Sequence, residues 1–243
     1  MIYKLKHLPL LLALMNLSSA NVEWPEWRGP NGLGHSDAEN LPTTWNESKN
    51  VTWKTSIPGK GHSTPVIQGN QIWLTSAFET PEDPSKIRDR LKSNTGSQPL
   101  NLLSHVSLHA ICVDRNSGKI LHNIPLLEVE KPQWVHKLNS YASPTPVLDS
   151  GRLYCHFGAF GTACLDTASA RVTWRNQKHK VMHENGPGSS PVLHENHLIL
   201  HMDGSDKQYV LALDKHTGET AWQTTRSGRL NNNSQLKKAY GTP

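Results

Sequence analysis

Residues 212–222, ALDKHTGETAW, decide the fold because they occur three times in related form. Residues 112–122 read CVDRNSGKILH and residues 164–174 read CLDTASARVTW, and the three segments align without a gap. The shared pattern is a small residue, an apolar residue, Asp, two variable residues, Ser or Thr, Gly or Ala, three variable residues and, in two copies, Trp. The aspartates lie 52 and 48 residues apart. Self-similarity at this spacing indicates a repeat architecture.

Each copy predicts a tight turn between two strands. The Asp side chain can accept hydrogen bonds from the backbone amides two and three residues further on, and Gly supplies a positive φ without steric cost. The Trp that follows falls on the next strand, where its large ring can pack against a neighbouring repeat. The repeat residues to which we assign a structural role are Asp114, Asp166, Asp214, Gly118, Gly218, Trp174 and Trp222.

A second landmark, Ser/Thr-Pro-Val followed by an apolar residue, precedes each copy. It occurs at 64–67, 145–148 and 190–193, and Thr242-Pro243 starts a fourth copy. Proline is tolerated at the first position of a strand, and each landmark is followed by a turn and another apolar run. A period of about 40–50 residues that holds four short strands is typical of a β-propeller. The sequence therefore predicts an all-β chain of about three blades plus the start of a fourth, not closed into a ring.

The repeat pattern resembles the pyrroloquinoline-quinone (PQQ) repeat, which quinoprotein dehydrogenases share with many non-catalytic propellers. Residues 24–32 and 183–191 resemble the flanks of an exported, uncharacterised subgroup of these propellers. Two positions depart from the pattern, because His122 replaces a Trp and Ala170 replaces a turn Gly. Since about six to eight blades close such a ring, the resemblance implies that the chain is the N-terminal fragment of a full propeller.

The first 20 residues predict a signal peptide, and hence a periplasmic or secreted protein. Lys4 and Lys6 precede an apolar run, and Ser18 and Ala20 place small residues at the cleavage site. The apolar run is too short to span a bilayer, and no later segment is apolar enough to do so. We therefore expect no transmembrane span after cleavage of the signal.

The rest of the chain divides into a lead-in segment, 21–52, and a partial propeller, 53–243. With the Trp-type positions as dividers, the predicted blades cover about 53–122, 122–174 and 174–222, with a partial blade at 222–243. An insertion at about 79–104 lengthens the first blade. Within it, Ser85–Leu91 can form one short helix with Ser85 as its cap. We interpret the insertion as a solvated surface loop, the alternative being a dedicated partner-binding element.

The charge of the chain predicts solubility and no nucleic-acid partner. The formal net charge is +5, and the basic residues are scattered, with the densest run, Lys86 to Lys92, interrupted by Asp89. A nucleic-acid surface requires a clustered basic stripe or a recognised module. Neither is present in the sequence.

The loops that lead into the Ser/Thr-Pro strands approach the central channel of a propeller. Exposed loops on a rigid scaffold commonly carry the binding residues. We predict that four residues of these loops face the channel, where a protein or small-molecule partner can bind; the alternative is that they only shape the start of each strand. The four residues are His62, Tyr141, Asn185 and Tyr240.

The histidines predict no metal site. His194, His197 and His201 fall on a predicted strand, where positions four apart are separated by about 13 Å. The stretch Asp203–Asp206 lacks the further oxygen ligands and the distal Glu of a calcium loop, so it is interpreted as a turn between strands.

Two of the three cysteines lie symmetrically about residues 158–161. A two-residue hairpin loop would place Cys155 and Cys164 opposite each other, so a disulfide is conceivable in an oxidising compartment. The preferred interpretation is packed free thiols, because Cys164 and Cys112 occupy the repeat position that Ala212 fills.

Three functions fit the sequence. The preferred one is an exported, non-catalytic propeller with a binding or scaffold role, and its open blade edges also predict self-association. The second is a PQQ-dependent dehydrogenase, for which the resemblance implies a quinone beside calcium and a disulfide of adjacent cysteines; this chain has no adjacent cysteine pair. The third is an outer-membrane assembly scaffold, whose relatives are typically lipid-anchored, whereas no cysteine directly follows Ala20. We assign no catalytic residue, no metal and no cofactor, and expect PQQ and calcium only in a complete propeller.

Overall fold

The computed structural model describes residues 23–92, 94 and 98–243. The predicted signal peptide lies outside these residues. In chain order the strands are β1 (Val66–Gln68), β2 (Gln71–Pro81), β3 (Leu100–Asn101), β4 (Leu103–Asp114), β5 (Ile120–Glu130), β6 (Val135–His136), β7 (Val147–Asp149), β8 (Arg152–His156), β9 (Thr162–Asp166), β10 (Arg171–Asn176), β11 (Val192–His194), β12 (His197–Asp203), β13 (Gln208–Asp214) and β14 (Thr220–Thr225). The helical segments are α1 (Pro84–Arg90) and short 3₁₀ turns at Pro30–Gly32, Gly158–Phe160 and Ser234–Leu236.

The strands form three four-stranded antiparallel sheets, which we call blades 1, 2 and 3. Their strand orders are β1-β2-β4-β5, β7-β8-β9-β10 and β11-β12-β13-β14, and β3 pairs separately with β6. Within the described residues these sheets do not join into a closed ring. The prediction of an unclosed, all-β chain of three blades is confirmed.

The blades do not divide at the Trp-type positions. His122, Trp174 and Trp222 each lie inside the fourth strand of a blade, which continues to Glu130, Asn176 or Thr225. Blade 1 is larger than the others because β2 and β4 have 11 and 12 residues, whereas β8 and β9 have five each.

The predicted helix in the first blade forms, but its cap differs. The helix begins at Pro84, and the Asp83 side chain accepts hydrogen bonds from the Ser85 amide at 2.9 Å and the Ser85 hydroxyl at 2.8 Å. The prediction of Ser85 as the cap is therefore wrong. Asp is an equally good capping residue, and Pro is favoured at the first helical position.

The three repeat turns have the predicted hydrogen bonds. Asp114, Asp166 and Asp214 each accept a bond of 2.7–2.9 Å from the amide three residues further on. In the first two turns, the hydroxyl and the amide of that serine lower the pKa of the Asp carboxyl. Gly118 and Gly218 have φ of 70° and 73°, which glycine adopts without strain.

The fourth strand of blade 2 contacts the repeat turn of blade 3. The Trp174 indole Nε1 donates to the Lys215 carbonyl at 3.0 Å, and a Cβ at Gly218 would lie 2.5 Å from the Trp174 ring. The Asn176 amide also donates to the Gly218 carbonyl at 2.7 Å. The prediction that the Trp packs against the neighbouring blade is confirmed for Trp174, whereas Trp222 is 40% exposed.

The Ser/Thr-Pro landmark also links the blades, which the sequence did not indicate. The Thr64 amide donates to the Thr145 hydroxyl at 3.0 Å, and the Thr145 amide donates to the Ser190 hydroxyl at 3.0 Å. The Ser190 amide continues the series to the Thr242 hydroxyl at 3.3 Å. Each hydroxyl therefore satisfies a backbone donor of the preceding blade.

The lead-in segment crosses the first strands of two blades. Trp24 and Ile67 exchange two backbone hydrogen bonds of 2.9 Å, and the Pro25 carbonyl accepts from the Leu148 amide at 2.8 Å. A turn at Gly29 then folds over the Trp24 ring so closely that a Cβ there would lie 2.6 Å from it. The lead-in thus fixes β1 beside β7.

The three cysteines are free and buried, as the preferred interpretation predicted. The prediction that Cys155 and Cys164 lie opposite each other is wrong, because Cys155 pairs with Ala163 and Cys164 with Tyr154. The loop is a 3₁₀ turn, which shifts the register by one residue and places the two thiols on opposite faces of the sheet. Burial raises the pKa of both thiols.

Candidate functional site

A cleft of about 470 Å³ opens beside β6, the loops that lead into β7 and β11, and the last residues of the chain. Two of the four predicted residues, Asn185 and Tyr240, line it together. None of the lining residues carries a formal charge at pH 7 with His neutral. The lining residues are Gln98, His136, Leu138, Asn139, Asn185, Pro187, Gly188 and Tyr240.

Asn139 ties together the two loops that form the cleft. Its amide group donates to the Asn185 carbonyl at 2.8 Å and to the Pro187 carbonyl at 3.1 Å, while its side-chain oxygen accepts from the Ser143 hydroxyl at 2.6 Å. Sequence reasoning did not select Asn139. An Asn within the Ser-rich stretch 138–143 was the available signal, because such an amide can satisfy several loop backbone groups at once.

The Asn185 and Tyr240 side chains contact each other. The Asn185 amide donates to the Tyr240 hydroxyl at 3.3 Å, and that hydroxyl donates to the His183 carbonyl at 2.8 Å. Partial burial raises the pKa of the Tyr240 phenol. The phenol therefore stays protonated at neutral pH and acts as a neutral hydrogen-bonding group.

His136 adds a donor to the cleft. Its Nδ1 accepts a hydrogen bond from the Leu138 amide at 3.1 Å, so the proton of the neutral ring resides on Nε2. Leu138 itself is 83% exposed and extends the apolar part of the wall. The cleft therefore combines polar groups whose orientation is fixed with an accessible apolar surface.

The other two predicted residues lie outside the cleft. Tyr141 is fully buried, and its hydroxyl shares one proton between the Asn101 carbonyl at 3.2 Å and the Gln133 carbonyl at 3.1 Å. Its side chain therefore faces the core and not the channel, and burial raises the pKa of its phenol. His62 is exposed, and its backbone amide donates to the Ala142 carbonyl at 3.1 Å.

Two buried histidines, His156 and His183, line a small cavity with Gly158 and with Tyr240, which also lines the cleft. The Ala159 amide donates to His183 Nε2 at 3.0 Å, which fixes the neutral tautomer with its proton on Nδ1. Burial lowers the pKa of His183 to about 4 and that of His156 to about 3. Both rings are therefore neutral at pH 7 and do not supply a positive charge to the cleft.

Among the residues that the structure describes, no group of three or more His, Cys, Asp or Glu side chains is arranged to hold a metal ion. His194 lies in β11, whereas His197 and His201 lie in β12. The prediction that all three lie on one strand is therefore wrong, because the chain turns between them and pairs His194 with His197. The predicted turn after β12 forms, and the Gly204 amide donates to the Lys207 carbonyl at 2.7 Å.

Residues 107–241 match the PQQ_2 family model, which is described as outer membrane protein assembly factor BamB. The match covers more than half of the chain. The chain is a member of the PQQ_2 family. No curated protein matches its sequence at a significant level.

Solved structures similar to this PQQ_2 chain include two dehydrogenases and BamB. A europium-containing methanol dehydrogenase is 13% identical, with 74% of this chain and 27% of that chain covered and a TM-score of 0.46. The quinohemoprotein alcohol dehydrogenase from Comamonas testosteroni is 13% identical, with 69% and 21% covered and a TM-score of 0.42. BamB from Moraxella catarrhalis is 12% identical, with 71% and 54% covered and a TM-score of 0.36. The chain thus spans about a quarter of each dehydrogenase and about half of BamB.

Proposed function

We propose that the chain is an exported, non-catalytic propeller module that binds a segment of a protein partner in the cleft beside Tyr240. The observation that carries the proposal is the uncharged cleft whose loops are locked by the Asn139 amide. A site whose polar groups are already oriented loses little entropy when a ligand binds. This preorganisation favours a binding role.

The chemistry of the wall favours an extended polypeptide as the ligand. Leu138, Pro187 and the ring of Tyr240 provide an apolar surface for one hydrophobic side chain. His136 Nε2–H is a donor and the Asn185 amide oxygen an acceptor, and together they match the carbonyl and N–H of a peptide main chain. A charged ligand would bring its charge into a site that has no opposite charge, so we propose a neutral segment.

Export rests on the predicted signal peptide at 1–20. The part of the chain that the structure describes contains no helix long and apolar enough to span a membrane. Fusion of residues 1–30 to alkaline phosphatase tests export directly, because that enzyme is active only outside the reducing cytoplasm. Activity that disappears in a fusion without residues 1–20 supports export, and activity in neither fusion refutes it.

The residues of the cleft do not fit the calcium ion that accompanies a quinone. Calcium takes about six to eight oxygen ligands, among which carboxylates are prominent. No carboxylate lines this cleft, and its oxygens come from amides, a phenol and the backbone. We therefore assign no step of a quinone reaction to these side chains.

Selection from a phage library of random 12-residue peptides tests the proposed ligand class. We expect selected neutral peptides to bind the purified chain, with Tyr240→Ala and Asn185→Ala each weakening binding about tenfold or more. Lys60→Ala provides the matched control, because Lys60 is exposed and lies in a different groove of blade 1, so binding should be unchanged.

Two results would contradict the proposal. One is selected peptides whose binding is equal in the wild type and in both cleft variants. The other is oxidation of methanol or ethanol by the chain after incubation with PQQ and calcium, followed by dye reduction, which would favour the dehydrogenase alternative.

A further inference from the structure

The wall of the cleft that carries Tyr240 belongs to no sheet of the described residues. Strand β14 ends at Thr225, and residues 226–241, which we call the strap, follow it in the structure without a further strand. Within the described residues, no backbone-to-backbone hydrogen bond joins 227–238 to a blade. The position of Tyr240 therefore depends on the side chains that dock the strap.

Two cationic side chains dock the strap. At its start, Arg226 forms an ion pair with Asp203, the last residue of β12. Further along, Lys238 Nζ donates to Glu184 Oε2 at 2.5 Å, and the two side chains are only 7% and 20% exposed. An ion pair that is mostly removed from water is weakly screened by salt and depends strongly on both partners. Because Lys238 lies two residues before Tyr240, this pair restrains the chain directly beside the phenol.

The Glu184 carboxylate also binds the 3₁₀ turn of the strap. Its Oε1 accepts from the Gln235 amide at 2.5 Å, and Gln235 Oε1 accepts from Lys238 Nζ at 2.5 Å. Together with the ion pair, these contacts form a closed triangle of hydrogen bonds among three side chains. One carboxylate therefore holds two positions of the strap, and its removal would release both.

The residues on either side of Glu184 hold the Tyr240 hydroxyl. The Asn185 amide donates to this hydroxyl, which in turn donates to the His183 carbonyl. Three consecutive residues of one loop therefore contact the strap, the outer two at the phenol and the middle one at the ion pair. The carboxylate and the phenol are thus parts of one contact between the loop and the strap.

Glu184 adopts a backbone conformation that residues other than glycine rarely occupy. Its φ is 63°, in the left-handed region, where a Cβ is strained. Such strain persists where the surrounding contacts over-determine the conformation, and it is common at functional sites. Glycine would fit this backbone better but would lack the carboxylate. The contacts of the Glu184 side chain with the strap therefore offset the strain.

We propose that Glu184 is a positioning residue of the cleft, which sets the place of the Tyr240 phenol through Lys238 and Gln235. Glu184 does not itself line the cleft. The inference rests on the proposed function and adds the residue that keeps one wall in the binding conformation. A wall that is fixed before the ligand arrives needs no ordering on binding. Without the carboxylate, a peptide must first order Tyr240, which lowers its affinity.

Amide hydrogen exchange of the strap tests this role without any ligand. In Glu184→Gln, the amides of 236–239 should exchange about tenfold or more faster than in the wild type, because the strap detaches more often. Asp149→Asn is the matched control, because it breaks the partly buried pair of Asp149 with Lys215 between blades 2 and 3, and exchange of the strap should not change. Equal exchange in Glu184→Gln and the wild type would overturn the proposal.

A charge swap and a glycine variant separate the carboxylate from the backbone. Glu184→Lys combined with Lys238→Glu restores an ion pair and should recover most of the protection that either substitution alone removes. Glu184→Gly relieves the strain at positive φ but removes the carboxylate, so the strap should exchange as fast as in Glu184→Gln. If the swap restored no protection, or if Glu184→Gly kept the wild-type exchange, the carboxylate would not be the group that positions the strap.

Peptide binding links this role to the cleft. Peptides selected from the 12-residue library should bind Glu184→Gln about fivefold or more weakly, and Asp149→Asn as tightly as the wild type. Faster exchange with unchanged peptide affinity, in a chain whose affinity does fall in Tyr240→Ala, would refute the positioning role and leave the proposed function intact. Peptide affinity that neither Tyr240→Ala nor Glu184→Gln changes would refute the proposed function, and the exchange data alone would then decide whether Glu184 holds the strap.

Discussion

The contact between blades 2 and 3 differs from the contact between blades 1 and 2, although both join a fourth strand to the next repeat turn. In the first, Trp174 donates to the Lys215 carbonyl and lies on Gly218. In the second, the carbonyl at the corresponding position belongs to Thr167, and it accepts from the Gln71 side chain at 3.3 Å. A side-chain amide of another strand thus replaces the indole donor.

This difference explains both departures from the repeat pattern together. Trp requires a following turn without a Cβ, because a Cβ would overlap its ring. Where His122 replaces Trp, that requirement is absent and Ala170 is tolerated with φ of 57°. The His122 ring instead stacks on Trp73 of its own blade, with centroids 6.2 Å apart. His122 and Ala170 look like independent departures in the sequence. In the structure they lie on the two sides of the same contact between blades 1 and 2, so one departure accounts for the other.

Replacement of Trp174, which packs against the next blade, should lower the free energy of unfolding much more than replacement of Trp222, which is 40% exposed. Trp174→Ala should lower the free energy of unfolding by about 3–5 kcal/mol, because a nearly buried ring and its hydrogen bond are lost. Trp222→Ala should cost less, about 1 kcal/mol, because that residue is 40% exposed. Urea unfolding followed by circular dichroism measures both values, and equal losses would refute the distinction.

Addition of one methyl group tests the steric requirement of the turns. Gly218→Ala should destabilise the chain by about 2–4 kcal/mol, because the new Cβ would overlap the Trp174 ring and because Ala is strained at a positive φ. Ala170→Gly is the matched reverse change and should alter stability by less than about 1 kcal/mol. If Gly218→Ala left the free energy of unfolding unchanged in the same experiment, the Trp174 ring would not require a turn residue without a Cβ.

Acid should weaken the contact between blades 2 and 3 before that between blades 1 and 2. His156 and His183 are neutral in the folded chain, whereas in the unfolded chain they take up a proton below a pKa of about 6.5. The unfolded state therefore binds more protons as the pH falls from about 6.5 to 4, and each histidine removes on the order of 2 kcal/mol of stability over this window.

Hydrogen exchange at pH 7 and pH 4.5 reports this effect by region. The amides of β12 and β13 should lose protection before those of β2 and β4. His183→Gln keeps an acceptor for the Ala159 amide without a titrating ring, so it should reduce the loss. Uniform loss in all blades, unchanged by His183→Gln, would show that the acid response arises elsewhere.

The local features of the repeat were predictable because the sequence itself specifies them. Asp114 and Gly118 define a turn through hydrogen bonding and positive φ, and neither depends on distant residues. The docking of Trp174 followed from its large ring on a strand next to another blade. Asn185 and Tyr240 contact each other because the loops before the first strands lie side by side, and that they face a channel stays a prediction.

Features that depend on contacts between repeats were not predictable from one sequence. A loop sequence does not reveal which of its side chains turns inward, so Tyr141 was misplaced. The register of Cys155 and Cys164 depends on the 3₁₀ turn between their strands. The symmetric spacing of the two cysteines suggested a two-residue loop and gave no sign of this turn. The Gln71 side chain reaches the Thr167 carbonyl of blade 2 because β2 lies beside the repeat turn of that blade.

The most direct test of this account is a double-mutant cycle at His122 and Ala170. His122→Trp alone should destabilise the chain, because the Cβ of Ala170 obstructs the new ring. In the Ala170→Gly background the same change should be less harmful or stabilising, with a favourable coupling energy of about 1–2 kcal/mol from urea unfolding. Additive effects of the two substitutions, with a coupling energy near zero, would contradict the claim that the Trp and the turn Gly act as a pair.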